Sequence, residues 1–428
     1  MHAASRPLRA FLLGLLCAAR LAAEPASSAA PAPWHASATA RSGLDTNVFL
    51  QDPGPLAPGQ TIASTPARAH DSFAMLGLDV SGAFSVPVGR FVAGYAPELY
   101  RYNEYSSENH DDHRLRAALD GAAGDWSWEL GGNVLHTEGS GSGPAYNRLG
   151  GGPVLGGEPV RARRDQTVSK ASARLTRATA HGWTRLLACG SYQDFHTGFA
   201  PGASPYVDRG EALGGFELGR DLRPGLAAVA GLRTGRQFQA DRPGLASAAN
   251  SSSAFTRFLA GLEGRPAPTL KLDFRAGPAV HRFTSDEPLP LGRQRTSPHA
   301  EASATWIPST ADTVTFSSRY QLALCGGGRG AYQDSLSRIE WKHRCTARLS
   351  SRLGASYATG DNGGQVYPGA KLFRDTITTG NISAEFSLSS RFSLDLGATC
   401  ELGASRLPDR DGRDYLRSVF TAGLTGRW

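Results

Sequence analysis

One texture runs from His35 to the C-terminus and constrains this chain more than any single motif. Two-faced segments of about 9 to 15 residues are separated by connections that are alternately short and long. The short ones fall at Val86 to Gly89, Gly124–Asp125, Ala180 to Gly182, Asp221 to Gly225, Arg265 to Pro268, Ile307 to Ala311, Ser350–Ser351 and Ser389–Ser390. The long ones include Gly43 to His70, Asn103 to Asp112, Gly139 to Gln166, Asp241 to Ser252, Thr284 to Arg295, Gly326 to Ala331, Gly360 to Arg374 and Gly403 to Gly412. An array of hairpins with tight turns on one side and long loops on the other is what a chain inserted into a bilayer from one face must form. The expectation is an all-β protein: a transmembrane antiparallel β-barrel of about 18 strands, with 16 as the alternative, short periplasmic turns and long extracellular loops. A soluble chain of several β-sandwiches would lack that strict alternation and would be expected to carry a linker.

The segments themselves have period two. In one, Trp126, Trp128, Leu130 and Val134 fall on one face and Ser127, Glu129, Asn133 and Thr137 on the other, with two aromatics placed as for an interfacial girdle. The last segment does the same: Phe420, Ala422, Leu424, Gly426 and Trp428 alternate with Thr421, Thr425 and Arg427. Such a strand suits lipid outside and water inside, and it is expected to pair with His35 to Ser42 and close the sheet. Phe420, Gly423, Leu424 and the terminal Trp428 also resemble the C-terminal signal by which bacterial barrels are recognised by the barrel assembly machinery.

At the N-terminus, Arg6 and Arg9 precede the apolar run Phe11 to Leu16, and small residues follow to Ala22 and Ala23. This is the pattern of a secretory signal peptide, expected over residues 1–23, with a flexible Ala/Pro/Ser-rich leader over 24–34 and the barrel over 35–428. Leu16 stands where a lipobox before Cys17 needs a small residue, so a lipid anchor is not expected. Removing Arg6, Arg9 and Arg20 lowers the formal charge from +7 to +4, and the remaining charges of both signs are scattered along strands. No basic stripe results, and nucleic acid is not an expected partner. Cys189, Cys325, Cys345 and Cys400 are expected as small apolar strand residues rather than as disulfides or metal ligands.

Polar positions on the inner face are the functional candidates, because charged side chains at membrane depth must face water or a partner. They are Glu129, Asn133, Arg233, Lys271, Asp273, Arg275, Arg319, Arg338, Glu340, Lys342, Glu385 and Asp395. The stretch Ser42-Gly43-Leu44-Asp45-Thr46-Asn47 resembles the Gly-Tyr-Asp-Ser-Asn segment found early in many β-barrel porins of Gram-negative bacteria, some associated with exopolysaccharide export, with Leu44 in place of Tyr. That resemblance implies an outer-membrane location. Physically, Asp45 and Asn47 are expected to fold back on neighbouring amides at the strand exit.

The function expected is a porin-like channel, monomeric or trimeric, for passive diffusion of small polar or anionic solutes, in contact with outer-membrane lipids. The alternative is a barrel in polysaccharide export or surface assembly, without free diffusion. A lipid hydrolase is remote: Gly139-Ser140-Gly141-Ser142-Gly143 places Gly141 where a nucleophilic Ser is required, and neither His136 nor His196 has a nucleophile and acid in register. No enzyme, cofactor or metal is expected. His110, Asp111, Asp112 and His113, and Asp409, Asp411 and Asp414, are polar loop clusters without an EF-hand or zinc spacing.

Overall fold

The computed structural model describes residues 34–48, 69–138, 166–196, 208–240, 251–284, 293–324, 331–361, 374–406 and 415–428. The signal peptide, most of the leader, Cys325, the loop 139–165 and Asp409, Asp411 and Asp414 lie outside them. The described residues form eighteen strands. In chain order these are β1 (Trp34–Asp45), β2 (Asp71–Val86), β3 (Gly89–Tyr102), β4 (His110–Ala123), β5 (Trp126–Thr137), β6 (Gln166–Thr179), β7 (Gly182–Phe195), β8 (Arg209–Arg223) and β9 (Leu226–Gln239). They continue with β10 (Ser253–Ala267), β11 (Leu270–Phe283), β12 (Gln294–Trp306), β13 (Asp312–Leu324), β14 (Ala331–Arg344), β15 (Leu349–Asp361), β16 (Arg374–Ser387), β17 (Phe392–Arg406) and β18 (Tyr415–Arg427).

Each strand pairs antiparallel with its chain neighbours, and β1 pairs with β18, so the sheet is a closed barrel with eighteen members. The closing ladder runs from Ser37↔Arg427 to Asp45↔Val419. Beyond it, Ala36 and Trp428 exchange two backbone hydrogen bonds, at 3.1 and 2.8 Å. Closure leaves neither edge strand with a row of unpaired amides, the condition for an antiparallel sheet to face lipid.

The tight turns follow local chemistry. Gly124 (φ 56°) and Gly225 (φ 80°) take left-handed conformations that a side chain would resist. The turn expected at Ser350–Ser351 instead spans residues 345–348, so those two serines lie in β15. Thr346 decides this: its Oγ1 accepts the N–H groups of Arg348 and Leu349 at 3.1 and 3.0 Å. A hydroxyl that mimics a turn carbonyl outweighs the Ser-Ser signal. Ser389 plays the same part before β17, accepting from Arg391 and Phe392.

The two faces differ as period two requires. On β2, Ala74, Leu76 and Leu78 are exposed while Phe73, Met75 and Asp71 are buried. Leu115, Phe216, Phe258, Ile339, Leu353, Ile382 and Phe420 likewise stand exposed on the convex side. All seven tryptophans lie toward the tight-turn end, from Trp34 at the start of β1 to Trp306 at the end of β12 and Trp428 beyond β18. Exposed apolar strands above a ring of indoles match a lipid-facing wall with its interfacial girdle.

One hairpin departs from the regular wall. The β12–β13 ladder stops at Ala300↔Tyr320, although β12 begins at Gln294 and β13 continues to Leu324. β13 remains paired with β14 to its last residue, and β14 with β15 from Gln333. The cause is legible at Pro298, which faces Pro278 across the β11–β12 pair. Two residues without N–H groups can oppose each other only at a non-hydrogen-bonded position, so the Pro298 nitrogen points to the β13 side and has no proton to give. In line with this, the β10–β11 ladder skips between Arg257↔Ala279 and Ala260↔Ala276, on the other side of Pro278.

Candidate functional site

The concave face of the barrel is identified by contacts that span several strands. Arg185 on β7 binds Glu263 on β10 through two hydrogen bonds of 2.8 and 2.9 Å, passing over β8 and β9. Side chains converge this way only inside a curved sheet. From Arg185, cross-strand register carries the inner face around the barrel, and every inner-face residue expected from the sequence falls on it. Glu129 meets Arg174 at 3.4 Å, and Asn133 stands between Arg116 and Lys170 in the ladder. Arg319 pairs with Asp334 at 2.8 Å, Lys342 with Glu340 at 3.4 Å, Arg41 with Asp395 at 2.9 Å, and Glu385 with Arg427. Lys271 and Arg338 have no carboxylate within 4.0 Å among the described residues.

Arg233, Asp273 and Arg275 belong to a larger assembly. Arg275, 2% exposed, contacts Asp273, Glu263 and Glu217; Glu217, 1% exposed, also receives Arg185 at 3.2 Å and Arg233 at 2.6 Å. Arg233 continues to Glu301 at 2.7 Å. Three guanidiniums and four carboxylates thus form one web across β7 to β12, near charge balance. Opposite charges this close support one another only as a set, because a single unpaired member would keep its desolvation cost. Above the web, Arg257 joins Glu211 at 3.2 Å and lies 4.1 Å over the Phe255 ring. Arg185, Glu217, Glu263, Glu301, Arg257 and Glu211 were not among the sequence candidates. They come from β7, β8, β10 and β12, and only the register across these strands brings them together.

The last residues of β13, Gln321 to Leu324, with Ala331 and Tyr332 of β14, here called the β13–β14 tip, lie inside this wall. Having left β12, β13 reaches β8 and β9: Gln237 Nε2 donates to the Leu322 carbonyl at 3.1 Å, and Arg209 donates to the Leu324 carbonyl. Leu322, Leu324 and Ala331 form a buried cluster with Phe283 packed against it. On the inner wall of β10 to β12, Phe255, Arg257, Ala279, His281, Ser297 and His299 are all buried. A pocket of about 250 Å³ remains between the tip and β6 to β9, lined by Lys170, Gln193, Arg209, Glu211, Arg319 and Asp334 among others. On the other side of the lumen a cavity of about 460 Å³ is walled by residues of β1 and β13 to β18. Its charged lining is Arg41, Lys342, Arg344 and Arg352 against Glu385 and Asp395.

The Asp45–Asn47 stretch folds back as expected: the Asn47 N–H donates to Asp45 Oδ1 at 3.0 Å. It also does what the sequence alone did not indicate. Arg417 on β18 makes three hydrogen bonds to the Asp45 carboxylate at 3.1, 3.0 and 2.6 Å, and Asn47 Nδ2 donates to the Leu416 carbonyl at 3.0 Å. The motif latches the first strand to the last.

The loop cluster at His110 to His113 does not converge on one point. It lies in β4, whose alternation turns His110 and Asp112 inward and Asp111 and His113 outward. His110 stacks on Tyr100 at 4.4 Å and Asp111 pairs with Arg101 at 2.7 Å. No group of three candidate metal ligands is found among the described residues. His136 and His196 meet on the outer wall at 5.6 Å between centroids, with the Thr167 hydroxyl 3.1 and 2.8 Å from their nitrogens.

No protein-family model and no curated protein matches the chain. Among solved structures, it is similar to the siderophore receptor PirA from Pseudomonas aeruginosa, with a TM-score of 0.41 and 9% identity over 94% of this chain and 81% of that one. The siderophore receptor PiuA from Acinetobacter baumannii gives 0.42 and 11% over 94% and 82%. The outer membrane channel DcaP of Acinetobacter baumannii gives 0.36 and 11% over 94% and 100%. Scores and identities at this level assign neither family nor substrate to the chain.

Proposed function

We propose that this chain is an outer-membrane transport barrel acting as a diffusion channel for small polar solutes, with a preference for anions, and not an enzyme. The observation that carries the reading is the cavity of about 460 Å³ left open toward the tight-turn ends of β13 to β17, with four basic and two acidic residues in its lining. An aqueous lumen in a wide barrel takes its selectivity from such charges, because the field adds along the path that a solute must follow. The web of β7 to β12 contributes little net field, being nearly balanced, and Arg41 and Lys342 are paired with Asp395 and Glu340, so Arg344 and Arg352 dominate. The apolar outer wall and its tryptophan ring support placement in a lipid bilayer. Phe420, Gly423, Leu424 and Trp428 would serve recognition by the assembly machinery, and the N-terminal segment would direct export.

Planar-bilayer recording of the purified barrel under a salt gradient tests the reading. The expected result is a steady conductance whose reversal potential has the sign of anion preference. Cation selectivity would contradict the role given to the basic lining. A closed barrel under all conditions would favour the competing role in polymer export or surface assembly.

A further inference from the structure

The β13–β14 tip carries a contradiction between its sequence and its position. Along β13 the outward row is Val314, Phe316, Ser318, Tyr320, Leu322 and Leu324, a lipid-facing pattern interrupted only by Ser318, alternating with the inward Thr313, Thr315, Arg319 and Gln321. Phe316 and Tyr320 are exposed on the outer wall, whereas Leu322 is 1% exposed inside the lumen. The same leucines therefore suit two environments: bilayer, if β13 continued along β12, and the inner wall at Phe283, where they now pack.

The contacts that distinguish these positions are few. If the ladder continued past Ala300↔Tyr320, Leu322 would stand opposite Pro298, which has no N–H for the Leu322 carbonyl. Folded inward, that carbonyl is served by Gln237, and the Leu324 carbonyl by Arg209. Against this, the inner wall around the tip holds buried polar atoms without a hydrogen-bond partner, Arg257 Nε, Ser297 Oγ, His299 Nδ1 and Gln237 Oε1, while His299 Nε2 has only the Glu301 carboxylate at 3.8 Å. Unsatisfied buried groups count against keeping this part of the lumen closed.

We propose that the β13–β14 tip is a gate, moving between a lumen position latched by Gln237 and Arg209 and a wall position in register with β12, with Pro298 biasing it inward. In the wall position Leu322 and Leu324 face lipid, the lumen widens, and the polar row of Arg257, Ser297 and His299 lines the passage. The gate stands on the barrel's own pairing and does not require that diffusion be its use.

The test is a distance measurement between spin labels on Ala323→Cys and Phe238→Cys, the latter on β9, in full-length protein whose native cysteines are replaced by serine and which is reconstituted in lipid. Folded in, β13 touches β9; in the wall it stands four strand spacings away, about 19 Å along the curve at about 4.8 Å each. The expected result is a short distance in the parent. Pro298→Ala restores the missing donor and Gln237→Ala removes a latch; both residues can be changed independently, and each variant should add a population longer by about 10 Å. A single unchanged short distance in all three proteins would make the tip a fixed constriction and overturn the gate. Lengthening without any rise in conductance would leave the gate standing and count against the diffusion channel.

Discussion

The latch between Asp45 and Arg417 is where the barrel's closure is most open to measurement. Asp45 is fully buried and accepts three hydrogen bonds from Arg417 together with the N–H of Asn47. Asp45→Asn keeps the side chain's shape and one carbonyl oxygen, so the Asn47 turn can persist. It removes the charge and one acceptor, and it places an NH₂ group against a guanidinium. Hydrogen bonds to charged groups contribute roughly 1.5 to 3 kcal/mol each, and breaking a buried ion pair by removing one partner costs about 3 to 5 kcal/mol. Arg417 is 30% exposed and part of its charge can be rehydrated, which places the expected loss at the lower end, about 2 to 3 kcal/mol. Equilibrium urea unfolding in lipid vesicles, followed by tryptophan fluorescence and heat-modifiable mobility, would read this as a lowered midpoint. A cycle with Arg417→Met should show most of the loss to be shared, with Asp45→Asn costing little once Arg417 is gone. A single variant within about 0.5 kcal/mol of the parent, the range of ordinary surface substitutions, would refute the latch.

Three further outcomes are expected. Deleting Trp428 removes both backbone hydrogen bonds to Ala36 and an indole of the girdle, and should slow assembly into membranes in a vesicle insertion assay; insertion at the parental rate would count against the closing role. Glu217→Ala leaves Arg185, Arg233 and Arg275 without their shared carboxylate and should lower the unfolding midpoint by an amount corresponding to about 3 kcal/mol or more. Arg352→Glu turns the cavity lining from four basic and two acidic residues to three of each, and should move the reversal potential toward zero or past it.

The barrel was legible because its determinants are local. Period two and alternating connection lengths are properties of neighbouring residues, and they place β2, β5 and β18 within a residue or two of where they lie. The same logic misplaced the turn before β15, where one Thr346 hydroxyl outweighs two adjacent serines. What sequence could not supply was register across strands. Arg233, Asp273 and Arg275 were recognisable as inward charges, but their partners Glu217, Glu263 and Glu301 come from other strands. A one-residue slip would have sent each to the opposite face. The folded-in tip was hidden for a different reason: Leu322 and Leu324 fit lipid and inner wall equally well by pattern. Pro298 was visible in the chain, yet its meaning depends on facing Pro278 and on the β12–β13 register that would bring Leu322 opposite it.

The reading as a transport barrel turns on whether ions cross the lumen beside the hairpin. Single-channel recording in planar bilayers under a salt gradient measures that directly. A stable conductance with an anion-selective reversal potential, reduced or inverted by Arg352→Glu, is the predicted result. An inserted, folded barrel that passes no current, or one that selects cations with its basic lining intact, would contradict it.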